Sequence, residues 1–187
     1  MYIDQTRYSG RPEDLSGRLE REIACYDLLD QLKIPYERVD HDPADTIAAC
    51  EEIEEWLGAR ICKNLVLCNR QKTDFYLLLM DGAKPFHTKD LSKQIGSSRL
   101  SFAPPEEMER YLGVTPGSAT VLALMNDREH RVTLVLDRSV AEAEIFGCHP
   151  CINTSTLSLS MVDIREKFLP HLGVEPRIVD LPEDQQG

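Results

Sequence analysis

The chain has 187 residues, of which 42% are hydrophobic and 28% are charged, and its formal net charge at pH 7 is −11. This composition predicts one soluble globular domain, and no apolar run approaches the ~20 residues needed to span a bilayer. The negative charge argues against indiscriminate binding to nucleic acid, and the polar first 17 residues lack the apolar core of a signal peptide, so a cytoplasmic protein is expected.

Charge is unevenly distributed along the chain. Residues 40–58 contain seven carboxylates and no Lys or Arg, whereas residues 60–99 contain eight Lys or Arg and three Asp. One interpretation is chance clustering on a solvated surface, because mixed charged surfaces are normal. The other is a local basic face that binds phosphates within an acidic protein.

In the first half of the chain, apolar spacing predicts helices on either side of a β-hairpin. A helix is predicted over 18–33 from residues spaced by three and four: Leu19, Ile23, Tyr26, Leu29 and Leu32. A strand over 36–39 follows. Thr46 then caps a helix that Gly58 ends, with Ile47, Cys50, Ile53 and Leu57 facing inward. Strands over 65–68 and 75–80 form the hairpin, and a short helix begins at Thr88 or Asp90 and ends at Gly96.

The second half predicts more strands and two helices. Helices are expected over 105–112 and 161–172, and strands over 119–125, 132–136, 143–146 and 156–160. Helices flanking hairpin-linked strands, without βαβ alternation, indicate an α+β fold with a mixed, mostly antiparallel central sheet. The predicted domain spans 18–174, with an N-terminal extension over 1–17 and a polar C-terminal tail over 175–187.

Cys148 and Cys151 form a CxxC around His149-Pro150, which suggests a redox or a metal centre. The residues after Cys151 favour a strand, whereas a thioredoxin-like centre begins a helix whose dipole lowers the thiol pKa. A zinc site needs a second close pair of ligands, and Cys62 and Cys68 are too widely spaced to supply it. Nucleotide-binding glycine motifs are also absent from the sequence, so neither a metal nor a cofactor is expected.

Four blocks of sequence are shared with a known family. They are Lys63-Asn64-Leu65 at a strand entry, Tyr-Leu-Leu-Leu-Met at 76–80, Gly-Val-Thr-Pro-Gly-Ser at 113–118, and His149-Pro150 followed by Asn153-Thr154-x-Thr156. With these blocks in order, residues 23–172 resemble the YbaK/ProX family of prolyl-tRNA editing deacylases. The similarity is greatest to its free-standing Ala-tRNA(Pro) deacylases.

The resemblance implies the editing-domain fold and a trans-editing activity. The reaction would be hydrolysis of the ester between a wrong amino acid, alanine in the first place, and the 3′ adenosine of tRNA(Pro). The implied partners are the acceptor end of tRNA(Pro) and prolyl-tRNA synthetase. Three alternatives stay open: a Cys-tRNA(Pro) deacylase, a non-catalytic module that binds tRNA or the synthetase, and a thiol-redox protein that uses the CxxC.

The resemblance also implies site residues. Lys63 would lie near the terminal nucleotide and the ester, where a cation holds phosphate or stabilises an oxyanion. Gly147 would let backbone N–H groups approach the carbonyl oxygen. His149 would position water or substrate, or else order its loop, and a ribose hydroxyl of the tRNA would assist the reaction. Contacts with substrate are expected from Ser118, Asn126, Pro150, Asn153, Thr154 and Thr156, with strand-edge hydrogen bonding as the alternative for the last three.

Overall fold

The computed structural model describes residues 1–183, which form an α+β fold. The strands are β1 (Tyr8–Ser9), β2 (Glu37–Asp40), β3 (Lys63–Asn69), β4 (Phe75–Met80), β5 (Leu100–Phe102), β6 (Val132–Asp137), β7 (Ile145–Cys148), β8 (Ser155–Ser160) and β9 (Arg177–Val179). The helices are α1 (Glu20–Gln31), α2 (Ile47–Leu57), α3 (Thr88–Ile95), α4 (Pro105–Leu112), a 3-10 helix (Val121–Asn126), α5 (Arg138–Ala141), α6 (Met161–Asp163), a π-helical turn (Ile164–Phe168) and α7 (Leu169–Leu172). The predicted α+β class is confirmed.

The strands are divided between two sheets, where the sequence predicts a single central one. One sheet is antiparallel, with the order β1-β2-β8-β7. The other has the order β5-β3-β4-β6-β9 and is mixed, because β6 pairs in parallel with both β4 and β9. The main core packs α1, the 3-10 helix and the final helical segments against these sheets, with Tyr26, Leu29 and Phe146 fully buried.

Gly147 is the residue through which the two sheets meet. Its N–H donates to the Arg60 carbonyl at 2.6 Å, and its own carbonyl accepts the Cys62 N–H at 3.4 Å. These bonds make a parallel bridge between Ile61 and Gly147. The bridge fixes β7 beside the segment that leads into β3, and so places the loop after β7 next to Lys63.

A side chain at position 147 would disrupt this junction. A Cβ there would lie 3.1 Å from Cγ1 of Ile61 and 3.3 Å from both the Arg60 carbonyl oxygen and Cδ2 of Leu57. We expect Gly147→Ala to lower the free energy of unfolding by about 1–3 kcal/mol, as overpacking does. Urea unfolding checks this value. Ile61→Ala removes the closest contact, so Gly147→Ala should lower the stability of the Ile61→Ala protein by less than it lowers the stability of wild type. Equal stability of Gly147→Ala and wild type would contradict the prediction.

Several local predictions are confirmed by the elements. Thr46 caps α2 by accepting the Ala49 N–H at 3.1 Å, and Gly58 ends the helix in the left-handed conformation with φ of 73°. The hairpin β3–β4 and helix α4 form where they were predicted. The inward orientation predicted for Ile47 is wrong, since this residue is 77% exposed at the first position of α2.

The prediction of a strand over 119–125 is also wrong, because Val121–Asn126 forms the 3-10 helix. The Thr120 hydroxyl begins this helix by accepting the Leu122 N–H at 3.3 Å. The residues at 121–124 are all buried, so the segment is apolar on every side. A short continuous apolar run has no periodicity that separates a buried helix from a buried strand.

Both ends of the described chain pack onto the domain. Within the predicted extension 1–17, β1 pairs with β2 and Ile3 forms a bridge with His41. Within the predicted tail 175–187, β9 completes the mixed sheet beside β6, and the Leu181 N–H donates to Asp137 at 3.1 Å. Residues 184–187 lie outside the described part of the chain. Among residues 1–183, every helix is too short or too polar to cross a membrane.

Candidate active site

A cavity of about 610 Å³ opens between α2 and the start of β3. The apolar part of its wall comes from β3, from the segment after β5, from α4 and from the turn before the 3-10 helix: Val66, Ala103, Met108, Pro116 and Ala119. Its charged groups are Asp45, Glu51, Glu54, Arg60, Lys63 and Asp81, and one imidazole, His149, completes it. Of the site residues predicted from sequence, Lys63 and His149 line this cavity directly.

Lys63 is the first residue of β3 and is half-buried at the cavity wall. Its ammonium donates a hydrogen bond to the carbonyl of Lys84, in the turn that follows β4. An ammonium group carries three donors, so this bond anchors Lys63 and leaves two N–H groups for a ligand. The position suits a fixed positive charge that faces substrate oxygens.

A chain of hydrogen bonds begins at Nδ1 of His149 and positions its ring. Its Nδ1 lies 3.0 Å from the Ser155 carbonyl oxygen and 3.2 Å from Oγ1 of Thr156. The same hydroxyl lies 2.8 Å from Nε2 of His41, whose Nδ1 is 2.7 Å from the Asp42 carbonyl oxygen. The chain therefore runs from one imidazole through Thr156 to the second imidazole.

The partners in this chain determine the tautomers. Carbonyl oxygens only accept hydrogen bonds, so Nδ1 carries the proton in both His149 and His41. Thr156 then donates to Nε2 of His41 and accepts from Nδ1 of His149. Burial lowers the pKa of both imidazoles, and the pKa of His149 falls to about 4. His149 is therefore neutral at pH 7 and presents an unprotonated Nε2 to the cavity.

Gly147 does not supply the oxyanion donor that the resemblance implies. Its N–H is already bonded to Arg60, and its position between Ile61 and Leu57 lies outside the cavity lining. The absence of a Cβ serves the close approach of two backbone segments. Gly147 thereby joins β7 to the segment before β3, and His149 and Lys63, which follow these two segments, both line the cavity.

The Asn-Thr-x-Thr run holds the segment that forms one wall of the cavity. Asn153 donates from Nδ2 to Asp45 at 2.9 Å, and its carbonyl accepts the Ala44 N–H at 3.1 Å. The Thr154 carbonyl accepts the His41 N–H at 3.0 Å, while its side chain is exposed. This hydrogen bonding at the strand edge is the alternative stated for these residues, and it leaves none of their side chains in the cavity.

Three further predicted residues are absent from the cavity lining. Ser118 closes the Pro-Gly turn, since its N–H donates to the Thr115 carbonyl at 3.0 Å, and Pro150 is buried. Asn126 belongs to the 3-10 helix and donates from Nδ2 to the Leu112 carbonyl at 2.9 Å. It was expected at the end of a strand that enters the pocket; without that strand, its amide instead satisfies the last turn of α4.

The two cysteines of the CxxC are buried in the core. Cys148 and Cys151 are both 0% exposed, and the thiol of Cys151 lies 3.5 Å from the thiol of Cys25 on α1. Burial raises the pKa of Cys148 and favours the uncharged thiol. This environment is the opposite of an accessible thiolate, and it argues against the redox alternative. Among the described residues, no group of three or more His, Cys, Asp or Glu is arranged to hold a metal.

The part of the chain that forms the cavity matches a known protein family. The model for the aminoacyl-tRNA editing domain matches residues 41–167, which include the cavity walls, both histidines and the Asn-Thr-x-Thr run. The chain belongs to the aminoacyl-tRNA editing domain family. Membership confirms the resemblance inferred from the four sequence blocks and the predicted class of enzyme, a hydrolase of the aminoacyl ester. It also makes tRNA a partner of this editing domain.

Similar proteins match most of the length of this chain. The prolyl-tRNA editing protein ProX of Acetoanaerobium sticklandii is 33% identical over 153 residues, which cover 82% of this chain and 93% of that protein. The prolyl-tRNA synthetase associated domain-containing protein 1 of Mus musculus is 32% identical over 171 residues, which cover 89% of this chain and 96% of the mouse protein. A solved structure, described as a candidate trans-editing enzyme for prolyl-tRNA synthetase, has a TM-score of 0.64 at 16% identity over 88% of this chain and 98% of that one, which shows a shared fold.

Several residues in or behind the cavity lining are not predicted from the sequence. His41, Asp45 and Glu54 precede the first of the four shared sequence blocks and carry no motif of their own. Glu54 accepts the Ile61 N–H at 2.8 Å and thereby ties α2 to the entry of β3. The acidic character of residues 40–58 is the sequence signal for Asp45 and Glu54, and it does not indicate His41.

Proposed function

We propose that this editing domain hydrolyses mischarged tRNA(Pro), with Ala-tRNA(Pro) as its preferred substrate. The observation that carries the proposal is the distribution of charge in the cavity. The acidic segment contributes Asp45, Glu51 and Glu54. The basic segment contributes Lys63 and Arg60, together with Asp81, which lies 3.5 Å from Arg60. The charges at the two ends of an aminoacylated nucleotide are complementary to these groups. Its α-amino group is largely protonated near neutral pH, and its phosphate is negative.

The two central side chains have complementary tasks in this proposal. Lys63 places its ammonium beside the ester, where it stabilises the negative charge that develops on the carbonyl oxygen. His149 offers the Nε2 lone pair to the attacking water or to a ribose hydroxyl that orients this water. The Ser155 carbonyl keeps the proton on Nδ1, and Thr156, itself bonded to His41, adds a second contact to the same nitrogen.

The substrate preference has a physical reason. A synthetase pocket built for proline rejects a smaller amino acid by only ~1–3 kcal/mol per missing methylene, so a second site that admits small side chains is needed. The cavity volume of about 610 Å³ holds an aminoacyl group with part of its adenosine. Volume alone accommodates alanine and cysteine equally, so the choice of alanine rests on the similarity to the free-standing Ala-tRNA(Pro) deacylases.

We also propose that prolyl-tRNA synthetase is a partner. A protein of net charge −11 attracts the body of a tRNA weakly, and delivery by a synthetase would remove the need for extensive phosphate contacts. The similar mouse protein is named for association with that synthetase, which supports this part of the proposal.

The deciding experiment compares Ala-tRNA(Pro), Cys-tRNA(Pro) and Pro-tRNA(Pro) as substrates. We expect kcat/KM for Ala-tRNA(Pro) to exceed that for the other two by about tenfold or more. Ala-tRNA(Ala) serves as the control for recognition of the tRNA. A preference for Cys-tRNA(Pro) would overturn the alanine assignment. If the protein releases the amino acid from none of these tRNAs faster than buffer does, the proposed function is overturned.

A further inference from the structure

A shallow groove of about 530 Å³ continues from the cavity across the surface. Lys63, Leu65 and Phe102 line both the cavity and the groove, so the two form one path with Lys63 at their junction. The far side of the groove is the start of α3, with Phe86 and Lys89. The proposed function uses the cavity and leaves the groove without a role.

Phe102 is unusual for a large apolar residue, because 63% of it is exposed. It ends β5, which lies at the edge of the mixed sheet, and its ring centroid is 6.1 Å from that of Phe86 with the planes tilted by 58°. A pair of phenyl rings partly open to solvent is a surface on which another flat ring can stack.

The charges around this aromatic pair favour an anion. Lys63 lies at the inner end of the groove and the exposed Lys89 lies in the first turn of α3, where the helix dipole adds partial positive charge. Asp90 is the one carboxylate in that first turn, and it is absent from the groove lining. Aromatic faces combined with cations are the chemistry that binds unpaired nucleotides.

We propose that the groove binds the unpaired 3′ end of the tRNA acceptor stem, with the terminal base stacked on Phe102 and a phosphate held by Lys89. The inference rests on the proposed function, which places the aminoacyl group in the cavity. The shared residues give the register: the ester lies at Lys63, so the base attached to the same ribose enters the groove. The basic segment thereby gains a defined role on the nucleotide side of the ester.

The test uses an uncharged RNA oligonucleotide that ends in CCA, with 2-aminopurine in place of the terminal adenine. Stacking quenches the emission of 2-aminopurine, so wild-type protein should quench it on binding. Phe102→Ala should abolish the quench, Phe102→Tyr should retain it, and Lys89→Met should weaken binding. Val162→Ala is the matched control, because Val162 is also an exposed apolar residue, 55% exposed, and lies on α6 outside the groove lining.

Kinetics with the charged tRNA give a second readout. Phe102→Ala should raise KM about 5- to 100-fold with kcat nearly unchanged, since stacking is present before and during the reaction. An unchanged quench and an unchanged KM in Phe102→Ala would overturn the inference while leaving the deacylase intact. Equal quenching when the 2-aminopurine is moved several nucleotides inward would also overturn it. Failure of the deacylase itself is detected separately, by wild-type protein that releases no amino acid from any tRNA.

Discussion

Replacing Lys63 with Met is expected to lower kcat for Ala-tRNA(Pro) by about 10²–10³-fold, with the fold retained. The side chains have similar length, so the change removes the charge and its donors while keeping most of the apolar contact. A preorganised donor aimed at a developing oxyanion contributes this much because water does not compete with it inside a cavity. Single-turnover deacylation measures the change, and circular dichroism verifies the fold.

Two variants make the Lys63 result specific. Lys63→Arg keeps the charge but replaces a compact ammonium with a planar fork, so we expect it to recover only part of the activity. Lys167→Met removes a Lys of the π-helical turn, whose ion pair with Asp163 is at the surface, and should leave the rate unchanged. A kcat for Lys63→Met within twofold of wild type would exclude Lys63 from the reaction.

The features that the sequence predicted well are those controlled by neighbouring residues. Helix α2 begins at a Thr that caps it and ends at a Gly that adopts the left-handed conformation, and both signals lie within the helix's own segment. The hairpin β3–β4 follows from two apolar runs joined by a polar link. Lys63 and His149, the two predicted site residues that line the cavity, each belong to a block that resembles the editing family.

The features that the sequence could not supply depend on contacts between distant segments. His41 and Thr156 are 115 residues apart, yet their hydrogen bond links His41 to the hydroxyl that contacts Nδ1 of His149. The tight packing at Gly147 depends on the Arg60 carbonyl and Ile61, which belong to another segment. A glycine in a motif suggests either a close approach to a ligand or a close approach of two backbones, and only the three-dimensional structure distinguishes the two.

The uneven charge of the sequence acquires a meaning from the same long-range geometry. The acidic segment 40–58 and the basic segment 60–99 both contribute residues to the cavity lining, and Glu54 ties α2 to the chain just before β3. Chance clustering on a solvated surface does not require the two segments to meet. Their meeting at one cavity favours the interpretation that each binds one end of a substrate carrying both charges.

Replacing His149 with Asn is expected to lower kcat by about 10²-fold. Asn can keep a donor near the position of Nδ1 and so preserve the bond to the Ser155 carbonyl, while it lacks any group at the position of Nε2. The variant therefore separates the loop-ordering role from the role in the cavity. Thr156→Val, which removes the relay hydroxyl, should also reduce kcat, and Thr156→Ser should retain it; full activity of His149→Asn would show that Nε2 has no part in the reaction.

His149→Asn should also change how the stability of the protein responds to acid. The folded pKa of His149, about 4, lies below its ordinary value of 6.5, so between these pH values the unfolded chain binds a proton that the folded chain does not. The stability of the wild type is therefore complete above pH 6.5 and falls as the pH drops toward 4, by up to ~3 kcal/mol from this one group. Urea unfolding at pH 7 and pH 4.5 should show a smaller loss for His149→Asn than for wild type. Groups that are common to both proteins and distant from His149 cancel in the comparison, so an equal loss would mean that burial does not lower the folded pKa of His149.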